Sequence, residues 1–231
     1  NRIVTDNLAD HFFVTEQSGI DNLLEEGKKA ADIYFVGNTM IDALVAYDQV
    51  IAENTIMTKL DVTERAFALV TIHRPSNVDN KSALEQNIHL LQNIAIKYPV
   101  VFPVHPRTKN KLEQFQLLSL LTSNPNIRIC EPLDYFAFQK LIASCKFIVT
   151  DSGGIQEEAT FRKKPCITIR PNTERPSTIT LGTNTLVEAD ISKINQLITD
   201  IEKHNYKEGN IPPLWDGKAT ARIFQVLDKL R

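Results

Sequence analysis

The sequence predicts an α/β protein built on a doubly wound parallel sheet, and three observations lead there. From Phe67 onward, short apolar runs rich in β-branched residues alternate with helical patterns, the rhythm of strand–helix–strand crossovers. One run, Phe147-Ile148-Val149-Thr150, is apolar almost throughout, as a strand covered on both faces must be. The chain has 231 residues, ample for a large core but short for a closed barrel of eight units.

The elements follow in order. Residues 2–10 read as a helix and residues 11–16 as a short apolar strand. Ser18 is placed as the cap of a helix carrying Ile20, Leu23 and Leu24, which Gly27 closes. A strand over Ile33-Tyr34-Phe35-Val36 ends at Gly37-Asn38, and Thr39 is placed as the cap of the next helix, with Ile41, Leu44, Val45 and Val50 on its apolar side. The polar stretch from Glu53 to Arg65 reads as a linker or boundary. Strands are then expected over 67–72, 100–104, 127–130, 147–150 and 166–169, with a weak one over 185–187. Helices are expected over 82–97, 108–121, 135–144, 154–161, 191–203 and 218–230.

Composition narrows the function classes. The chain is 42% hydrophobic and 23% charged, which excludes disordered, collagen-like and coiled-coil chains. Its 26 basic and 28 acidic side chains balance to −2, without the basic excess of a nucleic-acid binder, so no nucleic-acid partner is expected. No apolar run is long enough to span a bilayer and no secretory signal opens the chain; no membrane insertion is expected. Cys130, Cys145 and Cys166 form no Cys-x-x-Cys pair and read as reduced core thiols of a cytoplasmic protein. The chain begins Asn1-Arg2-Ile3, which reads as a processed product or an expressed fragment.

In an open parallel sheet, ligands bind beyond the carboxyl ends of the strands, and four strand ends carry polar motifs. The first is Thr150-Asp151-Ser152-Gly153-Gly154-Ile155-Gln156-Glu157-Glu158-Ala159. Two glycines let a ligand approach the backbone, and the free amides of a helix start favour phosphate or diphosphate. Glu157 and Glu158 could accept hydrogen bonds from sugar hydroxyls, or be two surface acids beyond a tight turn. The second is Thr71-Ile72-His73-Arg74-Pro75-Ser76-Asn77, where Arg74 suits an anion and His73 suits acid–base work, the alternative being a loop histidine beside a surface arginine. The third is Val104-His105-Pro106-Arg107; Pro106 starts a helix well whatever the function, and His105 could simply plug the top of the sheet. The fourth is Arg170-Pro171-Asn172-Thr173-Glu174-Arg175-Pro176, either a binding loop or one holding a surface salt bridge from Glu174 to Arg170 or Arg175. Tyr135, Phe136 and Phe138 sit at helical spacing and suit the core, although one ring at a pocket rim could stack on a base. There is no P-loop, no Gly-x-Gly-x-x-Gly and no Gly-x-Ser-x-Gly, and His73 and His105 are too dispersed to suggest a preset metal site.

Together the four motifs, with Val36-Gly37-Asn38-Thr39 ahead of Asp42-Ala43-Leu44, resemble the non-hydrolysing UDP-N-acetylglucosamine 2-epimerases. Ser152-Gly153-Gly154-Ile155-Gln156-Glu157-Glu158 and Thr173-Glu174-Arg175-Pro176 are the most specific pieces, and the match covers nearly the whole chain. The resemblance implies the C-terminal, UDP-binding lobe of a GT-B fold. Residues 1–30 would be the tail of the other lobe, 31–65 the crossover, 66–205 the Rossmann-like UDP-binding domain, and 206–231 a helix packing back. It implies interconversion of UDP-GlcNAc and UDP-ManNAc, a precursor of cell-envelope polysaccharide. UDP is eliminated as the C2 proton leaves, then added back, with no cofactor and no metal required.

By the same resemblance, Ser152, Gly153 and Gly154 would hold the diphosphate and Glu158 the ribose. Phe138 would lie against uracil. His73, the catalytic residue, and Arg175 would meet the phosphates or leaving group. Arg74 and His105 would lie near the cleft, where some members bind an activating UDP-GlcNAc. Ser76 stands where the family often has Glu, and Leu214-Trp215-Asp216-Gly217 replaces its usual aromatic-Gly-Asp-Gly. The carboxylates that move the C2 proton would come from the other lobe, so this chain is expected to bind UDP weakly and turn over negligibly by itself. A homodimer is expected of the full-length protein. The rival readings are a GT-B glycosyltransferase lobe and a nucleotide-sugar-binding module without catalysis.

Overall fold

The computed structural model describes residues 2–188 and 190–230; Asn1, Ala189 and Arg231 lie outside the described residues. Two compact units divide the chain: residues 1–48 with 211–231, and residues 49–210.

The smaller unit holds α1 (Arg2–Leu8), β1 (Phe12–Val14), α2 (Gln17–Glu25), β2 (Ile33–Phe35) and α3 (Thr39–Ala46), with the last helix of the chain. Strands β1 and β2 pair in parallel, Phe12 opposite Ile33. Phe12, Val14 and Leu23 form the core under them. Two expected caps move by one or two residues. Glu16, not Ser18, stands at the cap of α2, without a side-chain capping bond, while the Ser18 hydroxyl within the helix donates to the Glu16 carboxylate at 2.9 Å. Asn38, not Thr39, caps α3, its carbonyl oxygen accepting the Met40 amide at 2.9 Å. Gly27 ends α2 as expected, with a left-handed φ of 80°.

The larger unit begins with α4 (Asp48–Glu53) and α5 (Ile56–Lys59). Alternation follows: β3 (Ala68–Thr71), α6 (Pro75–Val78), α7 (Lys81–Ala95), β4 (Val100–Pro103), α8 (Pro106–Gln114), α9 (Leu118–Thr122), β5 (Ile127–Cys130), α10 (Tyr135–Ser144), β6 (Phe147–Thr150), α11 (Gly153–Phe161), β7 (Cys166–Ile169), α12 (Pro176–Thr180), β8 (Asn184–Val187) and α13 (Ile191–Glu202). Helix α14 (Ala219–Lys229) belongs to the smaller unit. The helix expected over 108–121 is two, because Gln116 takes a left-handed φ of 59° between them. That turn lets Leu112, Leu117 and Leu121 all reach one core.

Strands β3 to β8 form one parallel sheet in the order β5-β4-β3-β6-β7-β8. Side chains alternate between its faces as a strand's period of two requires. Ala68, Val70, Val100, Phe102, Phe147 and Val149 enter one core; Phe67, Leu69, Val101, Ile148 and Cys166 enter the other. Ile56 on α5 joins the second core, with Met57, Leu60 and Val62 packed beside it. This is the doubly wound, Rossmann-like architecture. Connections run outward in both directions from the β3–β6 pair, which is therefore the topological switch point where a crevice opens.

Candidate functional site

Register builds the site first. Thr71 lies opposite Thr150 at the carboxyl ends of β3 and β6, and their hydroxyls meet at 2.7 Å. The two strands thus finish level, which sets His73 and Asp151 beside each other. Asp151 is completely buried. Its carboxylate accepts the His73 amide at 3.1 and 2.9 Å, the Arg74 amide at 2.8 Å and the Asn77 side-chain amide at 2.9 Å. The imidazole Nδ1 of His73 lies 2.9 Å from the same carboxylate. Burial by itself would raise this acid; the bonds from His73, Asn77 and the Arg74 amide outweigh it and hold Asp151 below the usual range.

Strand β6 runs through Asp151 and Ser152 straight into α11. Ser152 is the cap residue, yet its side chain makes no capping bond; its own amide donates to the Thr150 hydroxyl at 3.0 Å. A Cβ placed on Gly153 would meet nothing within 4 Å, so open space lies over the first turn. Helix amides there are free to receive an anion, reinforced by the macrodipole. Gly154 follows within that turn.

The two acids of α11 are not at the surface: Glu157 is 3% and Glu158 7% exposed. Glu157 pairs with the Arg175 guanidinium at 3.0 Å. Burial raises Glu158 to about 7, against the opposing bond from Gln139, with the charge of Glu157 adding to the rise. Gln156, also buried, ties the helix start to the loop after β7. It donates to the Ser152 carbonyl at 3.1 Å and accepts the Thr173 hydroxyl at 2.6 Å and the Asn184 amide at 3.1 Å. Thr173 in turn accepts the Arg175 amide at 3.0 Å.

In that loop the salt bridge weighed from the sequence is present. Arg170 grips Glu174 in bidentate fashion at 2.9 and 2.8 Å, which draws Glu174 down to about 2. Arg175 takes the inward partner, Glu157, rather than Glu174's carboxylate.

His105 caps α8, its Nδ1 accepting the Arg107 amide at 3.1 Å. Although 32 positions separate them in sequence, His73 and His105 bring their ring centroids within 5.2 Å. Arg74 is half-buried, with Nε inside the protein. Phe138, on α10, is half-buried against the second core, while Tyr135 of the same helix is 40% exposed.

The structure therefore gathers His73, Arg74, His105, Ser152 and Gly153 at the carboxyl edge of the sheet, with Gly154, Glu157, Glu158 and Arg175 on α11 and the adjoining loop. Sequence reasoning passed over Asp151, Asn77, Gln156 and Gln139 as individual residues. The first carried a readable signal: an acid that continues an almost wholly apolar strand is buried, and a buried acid needs donors.

The comparisons with known proteins agree with this architecture. The family model described as UDP-N-acetylglucosamine 2-epimerase matches residues 1–228. A UDP-N-acetylglucosamine 2-epimerase of Methanocaldococcus jannaschii is 37% identical over 234 residues, covering 98% of this chain and 63% of the relative. The crystal structure of the Methanocaldococcus jannaschii UDP-GlcNAc 2-epimerase in complex with UDP-GlcNAc and UDP matches with a TM-score of 0.89 at 36% identity, over 99% of this chain and 64% of that one. The UDP-GlcNAc 2-epimerase of Neisseria meningitidis bound to UDP-GlcNAc matches with a TM-score of 0.84 at 30% identity, over 99% and 64%. This chain thus spans a little under two thirds of the length of these relatives. Since the family model matches almost from end to end, on a Rossmann-like sheet with these strand ends, the chain belongs to the UDP-N-acetylglucosamine 2-epimerase family.

Proposed function

We propose that this chain is the UDP-binding part of a UDP-GlcNAc 2-epimerase, which interconverts UDP-GlcNAc and UDP-ManNAc by elimination and re-addition of UDP. The observation that carries the reading is the open start of α11 at the sheet's switch point, with an uncommitted Ser152 cap and no obstruction over Gly153. In this reading Ser152, Gly153 and Gly154 hold the diphosphate, and Glu158 accepts the ribose hydroxyls. Phe138 lies against uracil, and Arg175 adds positive charge from the neighbouring loop. His73 meets the leaving diphosphate, with Arg74 and His105 beside it. The UDP-binding domain proposed over residues 66–205 lies within the compact unit of residues 49–210, to whose core α5 contributes Ile56, and 1–30, 31–65 and 206–231 adjoin it in sequence. The relatives' solved complexes with UDP-GlcNAc and UDP support this ligand class.

The chemistry asks for such a site. The C2–H bond breaks as C1 loses UDP, leaving a glycal; a proton then returns to the other face and UDP adds back. The C2 proton is weakly acidic, so the reaction depends on donors that stabilise the departing diphosphate and on positioned acid and base groups. We place the protein in the cytoplasm, serving envelope polysaccharide synthesis, and propose a homodimer for a protein of the relatives' full length. No helix among the described residues is long and apolar enough to cross a membrane.

Calorimetry with UDP tests the pocket. Ser152→Ala and Glu158→Ala should each weaken UDP by roughly 1.5–3 kcal/mol, the worth of one charge-assisted hydrogen bond. An unchanged affinity in both would move the nucleotide elsewhere. Incubating a full-length protein with UDP-GlcNAc should yield UDP-ManNAc; a glycosylated acceptor would favour a transferase instead.

A further inference from the structure

Asp151 is the most heavily coordinated side chain of the site, and its partners constrain a hydrogen that no distance reports directly. Two backbone amides and the Asn77 side chain donate to the buried carboxylate. The His73 Nδ1 stands 2.9 Å from Oδ1. A carboxylate so supplied with donors accepts only, and its burial makes a lone pair facing it costly. Nδ1 must therefore carry the hydrogen, and in the neutral ring Nε2 is left bare. The neighbouring imidazole is constrained the other way. The Arg107 amide donates to His105 Nδ1 at 3.1 Å, so that nitrogen is bare and Nε2 carries the hydrogen. The rings lie 5.2 Å apart with 34° between their planes.

We propose that Asp151 is a positioning residue that holds His73 as the Nδ1–H tautomer, while the Arg107 amide holds His105 as the Nε2–H tautomer, so that adjacent rings offer one acceptor and one donor. A sugar diphosphate carries both matching features: a phosphate oxygen accepts from His105 Nε2–H, and a sugar hydroxyl beside the diphosphate donates to His73 Nε2, so that His73 reaches the leaving-group region as an acceptor and His105 supplies the donor to phosphate. This assignment of ligand rests on the UDP-sugar reading; the tautomers rest on hydrogen bonds alone.

The test reads the hydrogens directly. Long-range proton–nitrogen spectra of the imidazoles, assigned with His73→Gln and His105→Gln, should show a pyridine-type Nε2 in His73 and a pyridine-type Nδ1 in His105. Asp151→Asn should shift His73 towards the Nε2–H form, because the new side-chain amide can donate to Nδ1. Asn77→Ala removes a donor but keeps the carboxylate, and should leave the His73 tautomer unchanged, which a mere loosening of the loop would not. An Nε2–H form of His73 in the wild type overturns the proposal, and so does an unchanged tautomer in a folded Asp151→Asn. Should that variant not fold, the wild-type spectrum still decides. Titrating UDP into the wild-type sample separates the two readings: absent binding with the expected tautomers removes the ligand assignment and leaves the positioning role standing.

Discussion

Burial lifts the Glu158 carboxyl from 4.5 to about 7, which makes this residue a stability cost as well as a proposed ribose contact. Between those two values the folded protein keeps a proton that the unfolded chain has lost, so stability falls as pH rises through the window and stays lower above it. The full shift corresponds to about 3 kcal/mol. Glu158→Gln should therefore be more stable than the wild type above pH 7, by on the order of 2–3 kcal/mol, and the gap should close below pH 4.5. Urea unfolding at the two ends of the range measures it; a gap independent of pH would mean the carboxyl is not the origin. The same substitution removes the negative charge that would receive the ribose, so added stability and lost UDP affinity are expected together. Glu157, the neighbouring buried acid, is paired with Arg175 at 3.0 Å.

Among the elements, α11 gains its place from both ends of a hydrogen-bond relay. Gln156 links it to Thr173 and Asn184, and Asn184 reaches the Thr178 hydroxyl on α12 at 3.1 Å. That relay fixes the loop carrying Arg175 relative to the helix start. In the smaller unit, the turn between β2 and α3 depends on one glycine. Gly37 has a φ of 90°, and a Cβ there would stand 2.1 Å from the Leu214 carbonyl oxygen. Both the left-handed backbone and the overlap oppose a side chain. Gly37→Ala should lower stability by roughly 3 kcal/mol or more, seen as a fall in Tm. An unchanged Tm would show that the Leu214 turn yields freely. Nearby, α14 is anchored on α3: the Asp42 carboxylate accepts the Ala219 amide at 3.0 Å and also takes the Thr220 amide, which satisfies two orphan donors of a helix start.

Across the larger unit, the two edges of the parallel sheet differ in sign. Helices begin at the carboxyl edge and end at the amino edge, so their dipoles favour anions at the first and cations at the second. The amino edge bears this out: a cavity of about 470 Å³ there is lined by Arg65, Lys146, Arg162, Lys163, Lys164 and His204. The ends of α10, α11 and α13 lie beside these residues in the chain, and Lys164 Nζ donates to the Cys145 carbonyl just past α10 at 3.2 Å. Lys164 is held below its usual range by burial there, in spite of the opposing influence of Cys145. Cys145 and Cys166 are buried, whereas Cys130, expected in the core, is only half-buried at the end of the edge strand β5. Burial pushes Cys145 and Cys166 up to about 12 and Cys130 up to about 11. A thiol reagent at neutral pH should label the native chain very slowly and all three cysteines after denaturation. Rapid labelling of Cys145 or Cys166 in the native protein would reveal opening of the sheet.

Much of this was legible in the order of the residues. Apolar runs such as Phe147–Thr150 announced strands covered on both faces, as in a doubly wound sheet or a closed barrel, and the chain's length favoured the former. Polar residues after those runs marked the site, because a strand's end is where the chain leaves the core. The linear order could not say that β3 and β6 are neighbours, since pairing depends on which crossovers pack. Hence the meeting of His73 with Asp151 and His105 was invisible, and Glu157 and Glu158 could equally have been surface acids. Spacing could not resolve the caps at Glu16 and Asn38, nor the Gln116 turn, since side-chain bonds and core packing decided them. Sequence alone determined the class of fold and the segments that carry chemistry, through periodicity and composition. Tertiary structure decided which of those side chains are buried, which donors they face and so which hydrogens they hold, because these follow from distance and exclusion of water.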